Sequence, residues 1–217
     1  SAASDVYKEQ SKLMVNIAVF ISGTGSNLKA IHAAIQSGGI TNARLACVIS
    51  NKQTAPGLGW AAQNGIETHF VNPKDFASRE AYDTALLKLM QEKEIGLICL
   101  AGYMRVVSSV LVDAFYGRIL NIHPSLLPSF PGLDAQKQAL DYGVKYSGCT
   151  VHFVDGGMDT GPIILQSTVP VMDNDTLESL SARILAAEHK TYPHAVNLYT
   201  NGQLQLSGRI VKINSPA

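Results

Sequence analysis

Residues 15–28 have the sequence Val-Asn-Ile-Ala-Val-Phe-Ile-Ser-Gly-Thr-Gly-Ser-Asn-Leu, and the architecture of the chain follows from them. The first seven are mostly apolar, rich in β-branched side chains and followed by glycine, which predicts a buried strand. Leu28, Ile31 and Ile35 then recur at helical spacing, so we expect a helix over residues 27–35. A strand, a glycine turn and a helix form the first unit of an α/β fold.

The same alternation continues toward the middle of the chain. Apolar runs predict strands at 45–50, 67–71 and 95–100. Between them we expect a helix around Leu58 that ends at Gly65, and a long amphipathic helix over 78–94 with Ser78 as its N-cap. Alternating strands and helices predict a mostly parallel twisted sheet with helices on both faces and right-handed crossovers.

The second half of the chain adds further elements to this single domain. A strand ends at 118–120, and a loop with three prolines occupies 121–132. We expect a short helix at 134–142, strands at 149–154 and 163–169, a helix over 177–198 interrupted at Pro193, and a hairpin at 203–213. The domain would span residues 13–217, after a polar N-terminal extension at residues 1–12.

Composition restricts the classes of partner and compartment. The 217 residues include 17 basic and 17 acidic side chains with no basic run, which argues against nucleic acid or an anionic membrane as a partner. Three distant cysteines in apolar runs give no disulfide framework, so we expect a reducing, cytoplasmic environment. No apolar run reaches the length of a membrane span. A monomer and a homodimer both remain open.

Two loops contain polar groups suited to ligands, and both follow strands. Glycines at 23 and 25 leave backbone amides free at a helix N-terminus, where an anion is stabilised. Leu28 stands where a dinucleotide fingerprint needs glycine, and no Walker lysine follows, so a lone phosphate fits better. A tight turn capped by serine is the simpler alternative.

The loop at 121–132, Asn-Ile-His-Pro-Ser-Leu-Leu-Pro-Ser-Phe-Pro-Gly, begins with an amide and an imidazole two positions apart. On an extended segment these side chains point to the same side. Imidazole suits proton transfer near neutral pH, and an amide can donate a hydrogen bond to an oxyanion. Ligands of open α/β sheets bind beyond the carboxyl ends of strands, so we expect the loops at 23–27, 102–107 and 121–132 at one edge. A polar strand end that caps its neighbours is the alternative.

The loop at 121–132 resembles the signature loop of the folate-dependent formyltransferases. Residues 21–28, 101–105, 150–154 and 158–164 are also similar to that family, and specifically to members that formylate phosphoribosylglycinamide. The resemblance extends from about residue 15 to about residue 206. It implies transfer of the formyl group of 10-formyltetrahydrofolate, a co-substrate, to the amine of 5′-phosphoribosylglycinamide in purine synthesis, without a metal.

The resemblance also implies roles for single residues. The catalytic set would be Asn121, His123 and Asp159, with the carboxylate favouring imidazolium. The family pattern assigns the ribonucleotide to Gly25, Ser26, Asn27 and Glu188, and the folate to Arg79, Met104, Arg105, Val106, Val107 and Asn121.

Several of these residues have simpler interpretations. Asp159 lies in a glycine-rich turn, where an aspartate commonly bonds its own backbone, and Arg79 suits a solvated helix start. His152 is expected within the sheet, in a supporting place near the site. Family members differ from this chain at Asp134, Gln136 and Leu185, which puts secondary contacts in doubt.

Two further functions remain open. Formyltetrahydrofolate hydrolase or another folate formyltransferase would share the Asn–His–Asp set. The hydrolase, however, usually has an additional N-terminal domain and lacks the Gly-Ser-Asn loop. A non-catalytic module that binds a phosphosugar is the alternative from another class, and the glycine loop permits it.

Overall fold

The main sheet of the protein has seven strands, as described for residues 14–216 by a computed structural model. The predicted extension at residues 1–12 lies outside the described residues. The strands are β1 Val15–Ile21, β2 Ala43–Ser50, β3 Glu67–Phe70, β4 Leu97–Leu100, β5 Ile119–His123, β6 Tyr146–Phe153 and β7 Ile163–Pro170. Their order in the sheet is β3-β2-β1-β4-β5-β6-β7.

Within residues 14–216, six α-helices and one short 3-10 helix, Pro73–Asp75, connect or follow these strands. The α-helices are α1 Ser26–Ser37, α2 Pro56–Gln63, α3 Arg79–Glu92, α4 Ser109–Ala114, α5 Ala135–Tyr142 and α6 Leu177–Thr200. Strands β8 Leu204–Ser207 and β9 Ile210–Ile213 form the predicted terminal hairpin. Ser78 accepts a hydrogen bond from the Ala81 amide, so the predicted N-cap of α3 is confirmed.

The sheet is parallel from β3 through β5 and antiparallel at β6 and β7. Side chains of β1 alternate between its two faces, as a strand requires. Ile17, Val19 and Ile21 pack with residues of α1 and α6 in one core cluster. Ala18 and Phe20 pack with residues of α3 and α4 in the other. The predicted mostly parallel sheet with helices on both faces is therefore confirmed.

Two details of the helices differ from the sequence prediction. Helix α6 continues through Pro193, where an interruption was expected. Proline removes one N–H donor and crowds the preceding turn, but Pro193 and its neighbour Tyr192 are buried against the sheet, and this packing outweighs the local cost. Helix α4 was not predicted, because six residues with two valines give little helical signal.

Candidate active site

The carboxyl ends of three neighbouring parallel strands, β1, β4 and β5, lie at the same edge of the sheet. The glycine loop follows β1, an irregular segment at 101–108 follows β4, and the proline-rich loop follows His123 at the end of β5. The three loops singled out in the sequence are thus adjacent in the fold. This edge is where ligands of open α/β sheets bind.

His123 is 6% exposed, and its two ring nitrogens face different groups. In β5, Leu120 and Ile122 point into the core cluster beneath α6, so Asn121 and His123 alternate to the opposite face. The His123 Nε2 lies 2.8 Å from the carbonyl oxygen of Phe130 in the following loop. Its Nδ1 lies 3.5 Å from Oδ2 of Asp159. The Phe130 carbonyl therefore accepts a hydrogen bond from Nε2, and Nδ1 faces the Asp159 carboxylate.

Asp159 is attached to the proline-rich loop rather than to its own turn. Its Oδ2 accepts a hydrogen bond of 2.8 Å from the Gly132 amide. The turn itself is closed by Asp155, whose Oδ1 accepts from the Gly157 amide at 3.0 Å and from the Thr160 hydroxyl at 2.6 Å. The sequence suggested that Asp159 could bond the backbone of its own turn, but Asp155 has that role. Asp159 is left to face His123.

His152 lies directly opposite Asn121 in the antiparallel pair of β5 and β6. Its Nδ1 donates to the carbonyl of Phe153 at 2.9 Å, and its buried Nε2 has no partner among the described residues. Burial holds the pKa of His152 below its ordinary value, and the nearby His123 acts in the same direction. A neutral imidazole therefore lies beside Asn121 on the neighbouring strand. The side-chain amide of Asn121 makes no hydrogen bond to another described residue.

The glycine loop continues directly into α1. Gly25 has a left-handed backbone, with φ of 70°, at the N-cap of the helix. The amide of Gly57, at the start of α2, donates to the Gly23 carbonyl at 3.0 Å. A Cβ at Gly57 would overlap Cδ1 of the buried Ile21 and lie 3.1 Å from the carbonyl oxygens of Gly23 and Thr24, so a side chain there would force these neighbours to shift. The start of α2 therefore supports the loop from behind.

Two predicted ribonucleotide ligands contact each other at the start of α1. Asn27 is 6% exposed and donates through Nδ2 to Oε1 of Glu188 at 3.1 Å, while its Oδ1 has no partner among the described residues. Glu188 is 7% exposed, and burial raises the pKa of its carboxyl to about 7. An unsatisfied amide oxygen beside a proton-holding carboxyl is a polar surface suited to hydroxyl groups.

The segment after β4 shows an alternating exposure. Met104 and Val106 are 64% and 47% exposed, while the guanidinium of Arg105 stacks 4.5 Å above the ring of Tyr82. Val107 packs against the core cluster beneath α3. Arg79 is exposed at the first residue of α3 and forms no ion pair with another described residue. Since Tyr82 lies one turn after Arg79, both arginines lie near the start of this helix.

The residues that depart from the family pattern lie around the site. Asp134 is the N-cap of α5 in a left-handed conformation, with φ of 55°. Gln136 is half-buried in the first turn of the same helix. Leu185 is 37% exposed on α6, one turn before Glu188, so no positive charge stands at that position.

Sequence reasoning missed two polar side chains that hold the segment after β4. The Ser22 hydroxyl accepts from the Met104 amide at 2.8 Å, and an Asp83 oxygen accepts from the Ser108 amide at 2.6 Å. A charged residue next to Tyr82 on the buried face of a helix was the available signal for Asp83. Nothing in the order of residues points from Ser22 to Met104, which lies 82 positions away.

The described part of the chain gives no other class of site. Residues 14–216 contain no group of three histidine, cysteine or acidic side chains suited to a metal ion. Within the same range, every helix is too short or too polar to span a bilayer.

Comparison with known proteins identifies similar sequences. The profile of a family described as "Formyl transferase" matches residues 15–196. A Drosophila melanogaster protein named trifunctional purine biosynthetic protein adenosine-3 is 50% identical over 195 residues, but the chain spans only 14% of its length. Phosphoribosylglycinamide formyltransferase of Escherichia coli K12 is 43% identical over 192 residues, which are 88% of this chain and 90% of that protein.

A solved structure is similar over almost its whole length. The crystal structure of glycinamide ribonucleotide transformylase 1 from Symbiobacterium toebii matches with a TM-score of 0.91 and 51% identity. The match covers 94% of this chain and 95% of that one. The similarity therefore includes the whole seven-stranded sheet and the loops at its edge.

Proposed function

The chain belongs to the formyl transferase family, and we propose that it transfers the formyl group of 10-formyltetrahydrofolate to the amine of 5′-phosphoribosylglycinamide. The products are formyl-phosphoribosylglycinamide and tetrahydrofolate, and the reaction belongs to purine biosynthesis. Relatives named phosphoribosylglycinamide formyltransferase or glycinamide ribonucleotide transformylase match the chain over most of their own length, which supports the choice of substrates.

The observation that carries the proposal is the pairing of His123 with Asp159 beside Asn121. Nδ1 of His123 lies 3.5 Å from the carboxylate, and Nε2 is held by a loop carbonyl. Acceptors face both ring nitrogens, and the proposed mechanism uses the imidazolium form, in which both nitrogens donate. An imidazolium beside a free amide is a suitable stabiliser for an oxyanion.

The ribonucleotide would bind at the start of α1. Gly25, Ser26 and Asn27 offer backbone amides at a helix N-terminus to its phosphate. Glu188 and the unpartnered Oδ1 of Asn27 suit the ribose hydroxyls. Holding the phosphate fixes the position of the glycinamide amine, which replaces an encounter in solution with a positioned attack.

The folate would lie along the segment at 104–107. The exposed side chains of Met104 and Val106 give apolar surface for a flat heterocycle, and the backbone of the segment offers N–H and C=O groups to its polar edge. Arg79 and Arg105, near the start of α3, suit the carboxylates of the glutamate tail. The segment and the start of α3 together therefore offer apolar, polar and charged groups, which are the three kinds that a folate needs.

The chain's own groups would act directly on the reacting atoms. Asn121 and the Nδ1–H of His123 donate to the formyl oxygen as the amine nitrogen bonds to the formyl carbon. The bond from that carbon to the folate nitrogen then breaks. The proton lost by the amine reaches the leaving nitrogen through His123 and Asp159. No covalent enzyme intermediate and no metal is needed.

A turnover assay with the purified chain tests the proposal. Tetrahydrofolate should form only when 10-formyltetrahydrofolate and phosphoribosylglycinamide are both present, in equal amounts with the formylated ribonucleotide. Release of tetrahydrofolate without the ribonucleotide would favour the hydrolase. Thermal stabilisation by the ribonucleotide with no turnover and no response to folate would favour the phosphosugar-binding module.

The proposal extends to the setting of the reaction. Its partners are small molecules, and three unpaired buried cysteines suit a reducing cytoplasm. Residues 13–217 would be the catalytic unit, as a monomer or a homodimer.

A further inference from the structure

The segment at 103–108 has no strand partner, and its backbone bends at Arg105. Its residues belong to no helix or strand until α4 begins. In the described part of the chain, only two of its backbone N–H groups donate hydrogen bonds, those of Met104 and Ser108. Both donate to buried side chains, and the N–H groups of Arg105, Val106 and Val107 between them stay free. The shape of the segment therefore depends on two anchors.

The first anchor is Ser22, the residue after β1. Its side chain is buried, with 6% of the residue exposed, and its hydroxyl accepts from the Met104 amide at 2.8 Å. The same hydroxyl donates to Oδ1 of Asn51 at 2.6 Å, after β2. The bond to Asn51 fixes the hydroxyl rotor, so an oxygen lone pair faces Met104. The first anchor thus connects the residues that follow β1, β2 and β4.

The second anchor is Asp83, on the buried face of α3. It is 2% exposed, and its Oδ2 accepts from the Ser108 amide at 2.6 Å. A charged acceptor makes this bond stronger than a neutral one. Between the two anchors, Arg105 stacks on Tyr82 and Val107 packs beneath α3. Side chains that face α3 hold the segment down, while Met104 and Val106 face outward.

We propose that Ser22 and Asp83 are positioning residues for the folate co-substrate, which they serve by fixing the backbone of residues 104–107. The inference rests on the proposed function, because it assigns this segment to the folate. Neither residue touches the reacting atoms. Each holds one end of the segment, so that the N–H groups between the ends, which have no partner among the described residues, keep a fixed position toward the ring. Loss of an anchor should weaken folate binding and spare the chemistry.

Steady-state kinetics with Ser22→Ala tests the first anchor. We expect KM for 10-formyltetrahydrofolate to rise about fivefold to tenfold, the loss of one hydrogen bond. KM for phosphoribosylglycinamide and kcat should change less than about twofold, because ribonucleotide binding and the chemical step are assigned to other residues. Ser50→Ala is the matched control: Ser50 is equally buried at the neighbouring end of β2, but its hydroxyl accepts from Lys52 instead of the segment.

Asp83 provides an independent test with a conservative rescue. Asp83→Ala should raise KM for the folate by about tenfold or more, since a charged acceptor is lost. Asp83→Asn keeps an oxygen that can accept from Ser108, and it should restore most of the affinity. If Asp83→Ala does not fold, Ser22→Ala still decides whether anchoring the segment matters for the folate. A purely structural role would lower the melting temperature and leave KM for the folate unchanged.

The outcomes separate this inference from the proposed function. If the wild type turns over and Ser22→Ala leaves KM for the folate unchanged, the inference is wrong and the function stands. If the wild type does not turn over, calorimetric Kd values for 10-formyltetrahydrofolate replace KM, and the same weakening in the variants supports the anchors. A wild type that does not bind this folate overturns both.

Discussion

At the scale of single residues, the proposed mechanism depends on which ring nitrogen of His123 is available. Nε2 lies 2.8 Å from the Phe130 carbonyl oxygen, so Nδ1, which faces Asp159, is the nitrogen that the proposal assigns to the formyl oxygen. The same carbonyl accepts from the Ser125 hydroxyl at 3.2 Å, and Asp159 is bonded to Gly132. One loop therefore orients both members of the pair, which keeps their separation fixed.

Glu188 gives a prediction about pH and stability. Burial raises the pKa of its carboxyl from the ordinary 4.5 to about 7, so the folded chain holds this proton to a higher pH than the unfolded chain. Its contribution to stability is therefore intact below pH 4.5 and is lost as pH rises toward 7, by about 3 kcal/mol in all. Glu188→Gln should remove this fall, as measured by urea unfolding between about pH 4.5 and 8.

The control for this prediction is the exposed Glu178 on the same helix. Glu178→Gln should leave the pH dependence of the wild type in place. An equal fall in stability for wild type and Glu188→Gln would show that the Glu188 carboxyl is not buried as described.

Single residues also show where sequence reasoning ends. The common direction of Asn121 and His123 followed from their spacing in a strand, and the turn between β1 and α1 followed from its glycines. The proximity of Asp159 to His123 came only from the family resemblance, because 36 positions separate them and no periodicity connects distant turns. The roles of Ser22 and Asp83 could not be predicted from the sequence, since their partners are backbone amides, which have no sequence signature.

At the scale of elements, the start of α2 supports the glycine loop by close contact. Gly57→Ala should destabilise the protein by about 1–3 kcal/mol, because its methyl group would meet the carbonyls of Gly23 and Thr24. Gly59 lies in the same helix, and a Cβ there would have no other atom within 4 Å, so Gly59→Ala should stabilise by about 0.5–1 kcal/mol. Urea unfolding of both variants measures the difference, and equal effects would contradict it.

Helix α6 is tied to the sheet by Tyr192. Its fully buried hydroxyl lies 2.8 Å from the Leu100 carbonyl and 3.1 Å from the Leu120 carbonyl, at β4 and β5. Tyr192→Phe should cost about 1–2 kcal/mol of unfolding free energy, since a buried hydrogen bond is lost. Tyr142→Phe, at a 79% exposed position, should change it by less than about 0.5 kcal/mol. A Tyr192→Phe variant with the unfolding free energy of the wild type would refute this account.

The elements that the sequence predicted well are those with long periodic patterns. Strand β1 has the predicted bounds, and α3 begins after the predicted Ser78 cap. The errors arose where packing overrides local preference. Pro193 stays within α6 because this part of the helix is buried, and α4 is held by Leu111 and the adjoining Phe115, which pack in the core. Neither contact has a local sequence signal.

At the scale of the whole molecule, the sheet brings two ligand surfaces to one edge. The residues proposed to bind the ribonucleotide lie on α1 and α6, and the segment proposed to bind the folate follows β4. Each surface is formed without the other, so each ligand should bind alone. At a concentration of about 100 times its Kd, either one should add about 2.7 kcal/mol to the unfolding free energy. A melting temperature that responds only to both ligands together would contradict preformed surfaces.

The most direct test of the central claim is the rate of formyl transfer by His123→Ala. The account predicts that kcat falls by at least about 100-fold, since one group provides both the oxyanion donor and the proton path. His194→Ala, at an exposed position of α6, should keep the wild-type rate, and circular dichroism should show both variants folded. A folded His123→Ala variant with wild-type turnover would contradict the account.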